Sequence, residues 1–325
     1  MLADTDILIT GGTGTFGRAM VKHLLAFERP PRRVIVFSRD ELKQHEMARE
    51  LGYRGQVEGE RLRFFVGDVR DEARLKTAFR GVDYVIHAAA MKQVPACEYN
   101  PTEAVRTNIG GAVAVIDAAI EAGVKRVIAL STDKAVNPAN LYGATKLVAE
   151  RLFVAASSIA GALDTRFSCV RYGNVLGSRG SVLQVWRAQL AAGQKISLTH
   201  PQMTRFWITL PKAVEFVLAR LQNMLGGEVF VPRIPSCSMI DLADAVAPDV
   251  GWERIPVRPG EKMHETLIGP DEARHVMDLG NYYAILQQDF GEMGCTPAGW
   301  TYSSDTNPER IWESVHVRAL LAGVA

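Results

Sequence analysis

The sequence predicts a doubly wound α/β fold, a parallel sheet covered by helices, with a smaller domain toward the C-terminal end. Three observations predict it. Short apolar runs alternate with helical patterns through the first half of the chain. Those runs show little polar alternation, as expected of strands buried on both faces. The rhythm then changes after about Tyr172, where loop-like and polar segments take over. Repeated strand–helix units return each strand parallel to the last, which builds a sheet of this kind.

The strand-like runs are Ile7–Thr10, Val34–Phe37, Leu62–Val66, Tyr84–His87, Val127–Leu130 and Phe167–Arg171. Helical patterns over Phe16–Phe27, Arg70–Phe79, Pro101–Ala122 and Tyr142–Ser157 lie between them. Together they make a first domain over residues 1–172. Beyond it, "YGNVLGSRGSV" is a loop, Val182–Ala192 a helix and "GQKISLTHPQMTRFW" a polar connection. A helix over Pro211–Asn223 and a strand in "GEVFVPR" follow. Residues 173–325 are expected to form mainly a substrate domain, with the segment near 210–232 returning to the main sheet.

The 325 residues are 47% hydrophobic and 22% charged, the balance of a soluble globular protein long enough for one large core or two smaller ones. Lysine plus arginine (37) nearly cancel aspartate plus glutamate (36), so no overall field favours nucleic acid. Cys97, Cys169, Cys237 and Cys295 form no C-x-x-C pair, and the histidines form no H-x-x-x-H pattern. Neither a metal site nor a disulfide framework is expected. No signal peptide or membrane-spanning run is legible, which makes a cytoplasmic protein with no membrane partner the expectation.

The first strand ends in "TGGTGTFG", with Gly11, Gly14 and Gly17 spaced G-x-x-G-x-x-G. A dinucleotide's pyrophosphate needs backbone N–H donors at close range and a helix N-terminus facing it. Glycines permit the tight turn, the close approach and the helix–strand packing. Thr13, Thr15 and Phe16 complete this loop. A strand before it and a helix after it raise the match above a chance glycine turn and predict a Rossmann-type nucleotide site.

The second strand ends in "FSRDELKQ". An NAD site usually carries an acid here for the ribose 2′-OH. Ser38 and Arg39 arrive first, with Asp40 and Lys43 behind. A guanidinium suits a 2′-phosphate, so the cofactor is expected to be NADP. The competing reading has Arg39 solvated and Asp40 on the ribose. Asp68, followed by Val69, sits where a third strand–helix turn would touch the adenine. Ala88, Ala89 and Ala90 end the fourth strand beside the cofactor, with Asn108 and Val175 as further contacts. His87 is expected to pack rather than catalyse.

Tyr142 and Lys146 are four residues apart at the start of a helical pattern, on one face. An ammonium beside a phenol favours the phenolate and makes Tyr142 a usable base for a hydroxyl. Lys146 can also hold the nicotinamide ribose. Behind the strand-end residues Ser131 and Thr132, and downstream of the glycine loop, this pattern resembles the extended short-chain dehydrogenase/reductase superfamily. The resemblance implies that Thr132 bonds the same hydroxyl.

Asp133 and Lys134 narrow the resemblance. Sugar-nucleotide 4,6-dehydratases add an acid and a base after the hydroxyl residue, commonly Asp-Glu, and here the pair is Asp-Lys. With "AAAMKQVPACEYNP", "LSTDKAVNPANLYGATK", "RYGNVLGSRGSV", "MTRFWITL", "RPGEKMHE" and "YSSDTNP", the chain resembles the configuration-inverting UDP-N-acetylglucosamine 4,6-dehydratases of pseudaminic acid biosynthesis. The resemblance runs from Ile7 to about Pro308. A related dehydratase/5-epimerase group lacks the tyrosine at this position.

In that family Tyr142 would take the C4 hydroxyl proton as hydride leaves C4 for NADP+. Lys134, with its pKa lowered by burial and neighbouring cations, would take the C5 proton, and Asp133, kept protonated, would protonate the leaving C6 hydroxyl. Neighbours along an extended strand point to opposite faces, so both reach one site only if the chain turns after Thr132. Asn137-Pro138 makes that turn plausible. The plainer reading is that Lys134 merely pairs with Asp133.

A UDP-sugar needs cations and backbone donors outside the cofactor cleft. Lys92 follows the fourth strand. Asn174 resembles the family's substrate-contacting asparagine, and Arg179, Gly180, Ser181 and Val182 form a substrate-side loop. Arg205 and Arg258 are candidates for the diphosphate, while Lys195 and Thr199 flank a loop for the uridine. Glu261 would orient a neighbouring basic group. The resemblance also implies a homo-oligomer, dimer or hexamer, and gives "YSSDTNP" no role. The rivals are a C5-retaining dehydratase, a 4-epimerase and a non-catalytic NADP-binding regulator.

Overall fold

The computed structural model describes residues 2–322 apart from 56, 58, 162, 288–295, 298, 312 and 313. Two compact units emerge, each assembled from separate stretches of chain. The first comprises Met1–Ser131, Thr145–Val170 and Val214–Val229; the second comprises Thr132–Ala144, Arg171–Ala213 and Phe230–Ala325.

The first unit alternates strand and helix: β1 (Asp6–Thr10), α1 (Thr15–Leu25), β2 (Arg33–Ser38), α2 (Glu41–Glu50), β3 (Leu62–Val66), α3 (Glu72–Ala78) and β4 (Tyr84–His87). Next come α4 (Val94–Tyr99), α5 (Pro101–Val105), a π-helical turn (Arg106–Gly110), α6 (Gly111–Ala122) and β5 (Arg126–Thr132). The long helix expected over 101–122 is therefore one run with a π-bulge in its middle. Then α7 (Leu141–Ile159) and β6 (Arg166–Tyr172) follow. The strands lie in the order β6-β5-β4-β1-β2-β3, the doubly wound order whose switch point falls between β1 and β4. β1 pairs in parallel with β2 and β4, β2 with β3, and β4 with β5.

Every residue of β1 is buried, and so is β2 from Val34 on. β3 departs from the expectation of strands buried on both faces. It closes the sheet at one edge, and its last residue, Val66, is 46% exposed. An edge strand has a neighbour on one side only, so its apolar run is only half covered. The sequence pattern also omitted α2. Its ten residues are mostly polar and only Gln44 and Met47 are buried, so no apolar stripe marks it.

The second unit contains β7 (Asn174–Val175), α8 (Val182–Ala191), β8 (Ile196–Leu198) and β9 (Thr204–Ile208). After α9 (Leu210–Asn223) and β10 (Val229–Pro232), which carry the chain from one unit to the other, come β11 (Ser236–Ser238), α10 (Met239–Val246), β12 (Trp252–Arg254) and β13 (Thr266–Ile268). The remainder is β14 (Val276–Asp278), β15 (Tyr282–Ile285), β16 (Tyr302–Ser303) and α11 (Ser314–Ala322). The expected polar connection before Trp207 carries two strands. All five residues of β9 are buried because it lies between β11 and β7 in a three-stranded sheet. Sheet pairing on both sides overrides the polar composition. Trp186, Ile196, Leu198, Met203, Trp207 and Leu242 form this unit's core, and the Trp186 indole donates to the Ser197 carbonyl at 2.7 Å.

Among the described residues no three His, Cys, Asp or Glu side chains cluster as metal ligands, and no helix is long and apolar enough to cross a membrane. Cys97, Cys169 and Cys237 are buried free thiols; Cys295 lies outside the described residues.

Candidate active site

The glycine loop of the first unit is built for close approach. Gly11 has a left-handed backbone (φ 66°), and a Cβ there would sit 2.9 Å from the backbone of Ala89. A Cβ at Gly17 would sit 2.5 Å from the Cα of Gly12, so the first turn of α1 rests on the loop itself. Gly14 is the N-cap of α1 and contributes no side-chain cap, which leaves the helix end to an outside anion. Thr15 and Phe16 open α1, and Thr13 is buried with its carbonyl accepting from Arg18 at 3.2 Å.

At the end of β2, Ser38 is buried and held by Gln44, whose amide donates to its hydroxyl at 3.0 Å and its carbonyl at 3.1 Å. Asp40 caps α2, accepting from the backbone of Lys43, and also pairs with the Lys43 ammonium. Those contacts hold its carboxyl below the usual range. Asp40 is thus occupied as a cap, whereas the Arg39 side chain is 59% exposed and 3.6 Å from Asp68. Burial tends to raise the Asp68 carboxyl, but Arg70 and Arg39 outweigh it and hold it low. Val69 is buried behind it.

Around β4, Ala88 and Ala89 donate backbone N–H groups to the Thr10 hydroxyl, and Ala90 is exposed. Asn108, in the π-bulge, bonds both the N–H and the carbonyl of Met91, at 2.8 and 2.9 Å, and also the Thr145 hydroxyl. Its amide therefore positions the loop after β4. Lys92, in that loop, is exposed. His87 is buried against Phe153, bonds Thr10 at 2.9 Å, and is pushed down to about 3 by burial and by Lys146, as fits a neutral packing residue. The Lys146 ammonium donates to the Leu130 carbonyl at 2.7 Å, and burial lowers its pKa against the pull of Cys169 and Glu150. Tyr142 stands one turn ahead of Lys146 on α7.

In the second unit, Asp133, Lys134 and Ala135 form a 3-10 turn directly after Thr132. The chain thus turns where both side chains need it to. The Thr132 hydroxyl donates to Asp133 Oδ1 at 2.9 Å, and the Lys134 ammonium donates to the same oxygen at 3.0 Å. Gly143 explains how the start of α7 comes so near, since a Cβ there would sit 2.2 Å from the Lys134 carbonyl. Asn140 caps that start by accepting from Gly143, and its amide bonds the Gly260 carbonyl at 3.0 Å.

The condition expected of Lys134 is not met here. Burial does push its pKa down, but Asp133 and Glu265 outweigh burial and the repulsion from Arg205, so the amine is held charged. Lys262 is the cluster's cation whose pKa falls; burial dominates there, and its amine donates to the Val136 carbonyl at 2.6 Å. Arg205 is buried on β9, bonds the carbonyls of Thr204 and Met263, and lies 3.5 Å from Glu261. Glu261 also lies 3.5 Å from the Thr199 hydroxyl and accepts from the backbone of Arg258.

Glu265, 3.3 Å from Lys134 and 4.0 Å from Arg205, joins Thr132, Asp133, Lys134, Arg205, Thr199 and the Arg258 backbone into one network. Asn174 and Val175 form β7, with the Asn174 amide 3.4 Å from the Phe206 carbonyl. Gly180 donates to the Gln184 side chain, Ser181 stands at the N-cap position of α8 without a side-chain cap bond, and Val182 opens the helix. Arg179 and Lys195 are exposed. Glu265 and Lys262 are the residues the motif reading missed. The signal for them is the repeated charge in "RPGEKMHE", which holds Lys262 and Glu265 beside Arg258 and Glu261.

A family model described as polysaccharide biosynthesis protein matches residues 7–287. The chain is 50% identical, over 97% of its length and 96% of the relative's, to a UDP-N-acetylglucosamine 4,6-dehydratase (inverting) of Campylobacter jejuni subsp. jejuni serotype O:23/36 (strain 81-176). It is 40% identical, over 88% of its length and 84% of the relative's, to a UDP-glucose 4-epimerase of Rickettsia akari (strain Hartford). The X-ray structure of Pen from Bacillus thuringiensis superposes with a TM-score of 0.89 at 37% identity, covering 99% of each chain.

Proposed function

This chain belongs to the polysaccharide biosynthesis protein family, and we propose that it is an NADP-dependent UDP-N-acetylglucosamine 4,6-dehydratase that inverts C5. The observation that carries the reading is the ion pair between buried Asp133 and half-buried Lys134, bonded through one oxygen to Thr132. A 4-epimerase moves only hydride and the C4 proton, so it has no use for a second acid and base. Eliminating water across C5 and C6 requires both.

The glycine loop and the end of α1 fit a dinucleotide's pyrophosphate, and Arg39 fits a 2′-phosphate better than the occupied Asp40 does. When bound, NADP+ supplies the hydride acceptor for C4 and the hydride that returns to C6. Tyr142 takes the C4 hydroxyl proton, with Thr132 holding that oxygen. Lys146 keeps the phenol ready to ionise and secures the ribose.

Asp133 and Lys134 then act as one unit carrying one proton. The Lys134 ammonium passes a proton to Asp133 along their 3.0 Å hydrogen bond, giving a free amine and a carboxylic acid. The amine takes the C5 proton that the 4-ketone has acidified. The acid protonates the C6 hydroxyl, which leaves as water. The pair is back in its resting charge state, and its proton count balances. C5 then takes a solvent proton on its opposite face, which inverts that centre, and Tyr142 releases to solvent the proton it took from the C4 hydroxyl, so the cycle closes. Arg205 and Arg258 supply positive charge for the diphosphate, Lys92, Asn174 and the loop around Arg179 contact the substrate, and Lys195 and Thr199 flank the uridine. The product is UDP-2-acetamido-2,6-dideoxy-β-L-arabino-hexos-4-ulose, the first step toward pseudaminic acid. The enzyme is a cytoplasmic homo-oligomer, dimer or hexamer, in this reading.

The Rickettsia relative favours a second reading, a 4-epimerase. One experiment separates the two. Purified protein is incubated with UDP-N-acetylglucosamine in deuterated water without added cofactor, and products are followed by NMR and mass spectrometry. Loss of one water, deuterium at C5 and an inverted C5 are expected. Retained water with inversion at C4 would make it an epimerase, and retained C5 would remove the inversion.

A further inference from the structure

A second buried carboxylate faces Lys134. Glu265 is 3% exposed, and its Oε1 lies 3.3 Å from the Lys134 ammonium. The same oxygen is 4.0 Å from Arg205 Nε, and Oε2 is 4.0 Å from the Lys262 ammonium. Oε2 accepts no hydrogen bond among the described residues, nor does Oδ2 of Asp133. The backbone of Glu265 is pinned: its N–H donates to the Ser304 hydroxyl at 2.9 Å and its carbonyl accepts from the Ser304 N–H at 2.8 Å. Ser304 is itself buried and bonded to Thr204. "YSSDTNP", the motif without a role, thus supplies the anchor that fixes Glu265.

An amine needs one carboxylate to form an ion pair, and Lys134 has two. Burying a second carboxylate is costly unless it is compensated. The charges that meet here are Asp133 from the 3-10 turn, Arg205 from β9, Lys262 from the preceding loop, and Glu265 itself. Glu261 acts on Arg205 from the far side. In the dehydratase reading, on which this inference rests, Lys134 must give up and regain a proton each turnover. A buried carboxylate at this distance from a half-buried amine governs how firmly that proton is held.

We propose that Glu265 is a positioning residue whose carboxylate holds the Lys134 amine against Asp133 and sets how readily that pair exchanges its proton. The working pair carries one proton. Acid adds a second at Asp133, and base removes the first from Lys134. The negative charge of Glu265 favours the protonated form at both limits, so it moves both limbs of a bell-shaped kcat profile upward. Glu265→Gln removes that charge and should shift both limbs to lower pH by about one unit. Glu265→Asp keeps the charge and should shift them less.

The test is an NMR titration of protein labelled with 13C at the lysine ε-carbons, with Lys134 assigned from the spectrum of Lys134→Gln. Lys134 in the unsubstituted protein should titrate above an ordinary lysine, and in Glu265→Gln about one unit lower. The kcat profile of each variant is recorded alongside. Lys134 titrating at or below an ordinary lysine would overturn the proposal. So would a folded Gln variant that is slower but keeps the original titration and both limbs, the behaviour of a merely structural contact. Should Glu265→Gln fail to fold, the unsubstituted protein and Glu265→Asp decide. If UDP-N-acetylglucosamine is not turned over, the dehydratase reading fails, and the titration still judges Glu265 by itself.

Discussion

Lys134 shows what a single residue's environment adds to its identity. Burial pulls its pKa down, as the sequence suggests, yet carboxylates at 3.0 and 3.3 Å reverse the outcome. A resting ammonium is still compatible with a base, provided its proton has somewhere to go, and Asp133 is the bonded acceptor. Lys134→Ala is expected to lower dehydration by at least about a thousandfold, within the range of general acid–base effects, while NADP binding measured by calorimetry stays intact. Near-normal turnover would remove Lys134 from the mechanism. Arg39 makes a comparable argument for the cofactor. Asp40 is engaged in capping α2, so in the proposed reading the exposed Arg39 guanidinium, 3.6 Å from Asp68, is the group that meets a 2′-phosphate. Arg39→Ala should weaken NADP by about tenfold or more and NAD much less; equal losses in paired titrations would end the case for a phosphate contact.

Elements carry the precision that these residues need. The π-bulge between α5 and α6 turns Asn108 inward, where its one amide fixes both backbone groups of Met91. The 3-10 turn after β5 brings Thr132, Asp133 and Lys134 onto one bonded cluster, which a continued strand would have split between two faces. The glycine loop is the most demanding element. At Gly17 a methyl group would collide with backbone atoms of Gly12 and Gly11 at 2.5 to 2.7 Å, with no flexible side chain to yield. Gly17→Ala should therefore destabilise the protein by about 1–3 kcal/mol and cost most of its NADP affinity. Thermal unfolding and a cofactor titration check this, and unchanged affinity would mean that the loop does not hold the pyrophosphate.

Across the whole molecule, the sequence determined the alternation of β1 to β6 with their helices, the glycine loop and the one-turn spacing of Tyr142 and Lys146. Those signals are local, carried by periodicity and short spacings that the backbone must respect wherever it folds. It left out α2, whose polar residues leave no stripe, and the strands β8 and β9, whose burial comes from partners elsewhere in the chain. Within the candidate site the residues of the Thr132–Lys134 turn were legible because they are adjacent. Glu265 and Lys262 were not, although they stand in a recognisable motif. Their part depends on which charges meet across space: Ser304 pins Glu265, and Glu265 reaches Lys134 at 3.3 Å. The charge state of Lys134 was decided only by the tertiary structure, because a pKa is set by the distances to its neighbours and by exclusion of water, and neither is written in the order of the residues.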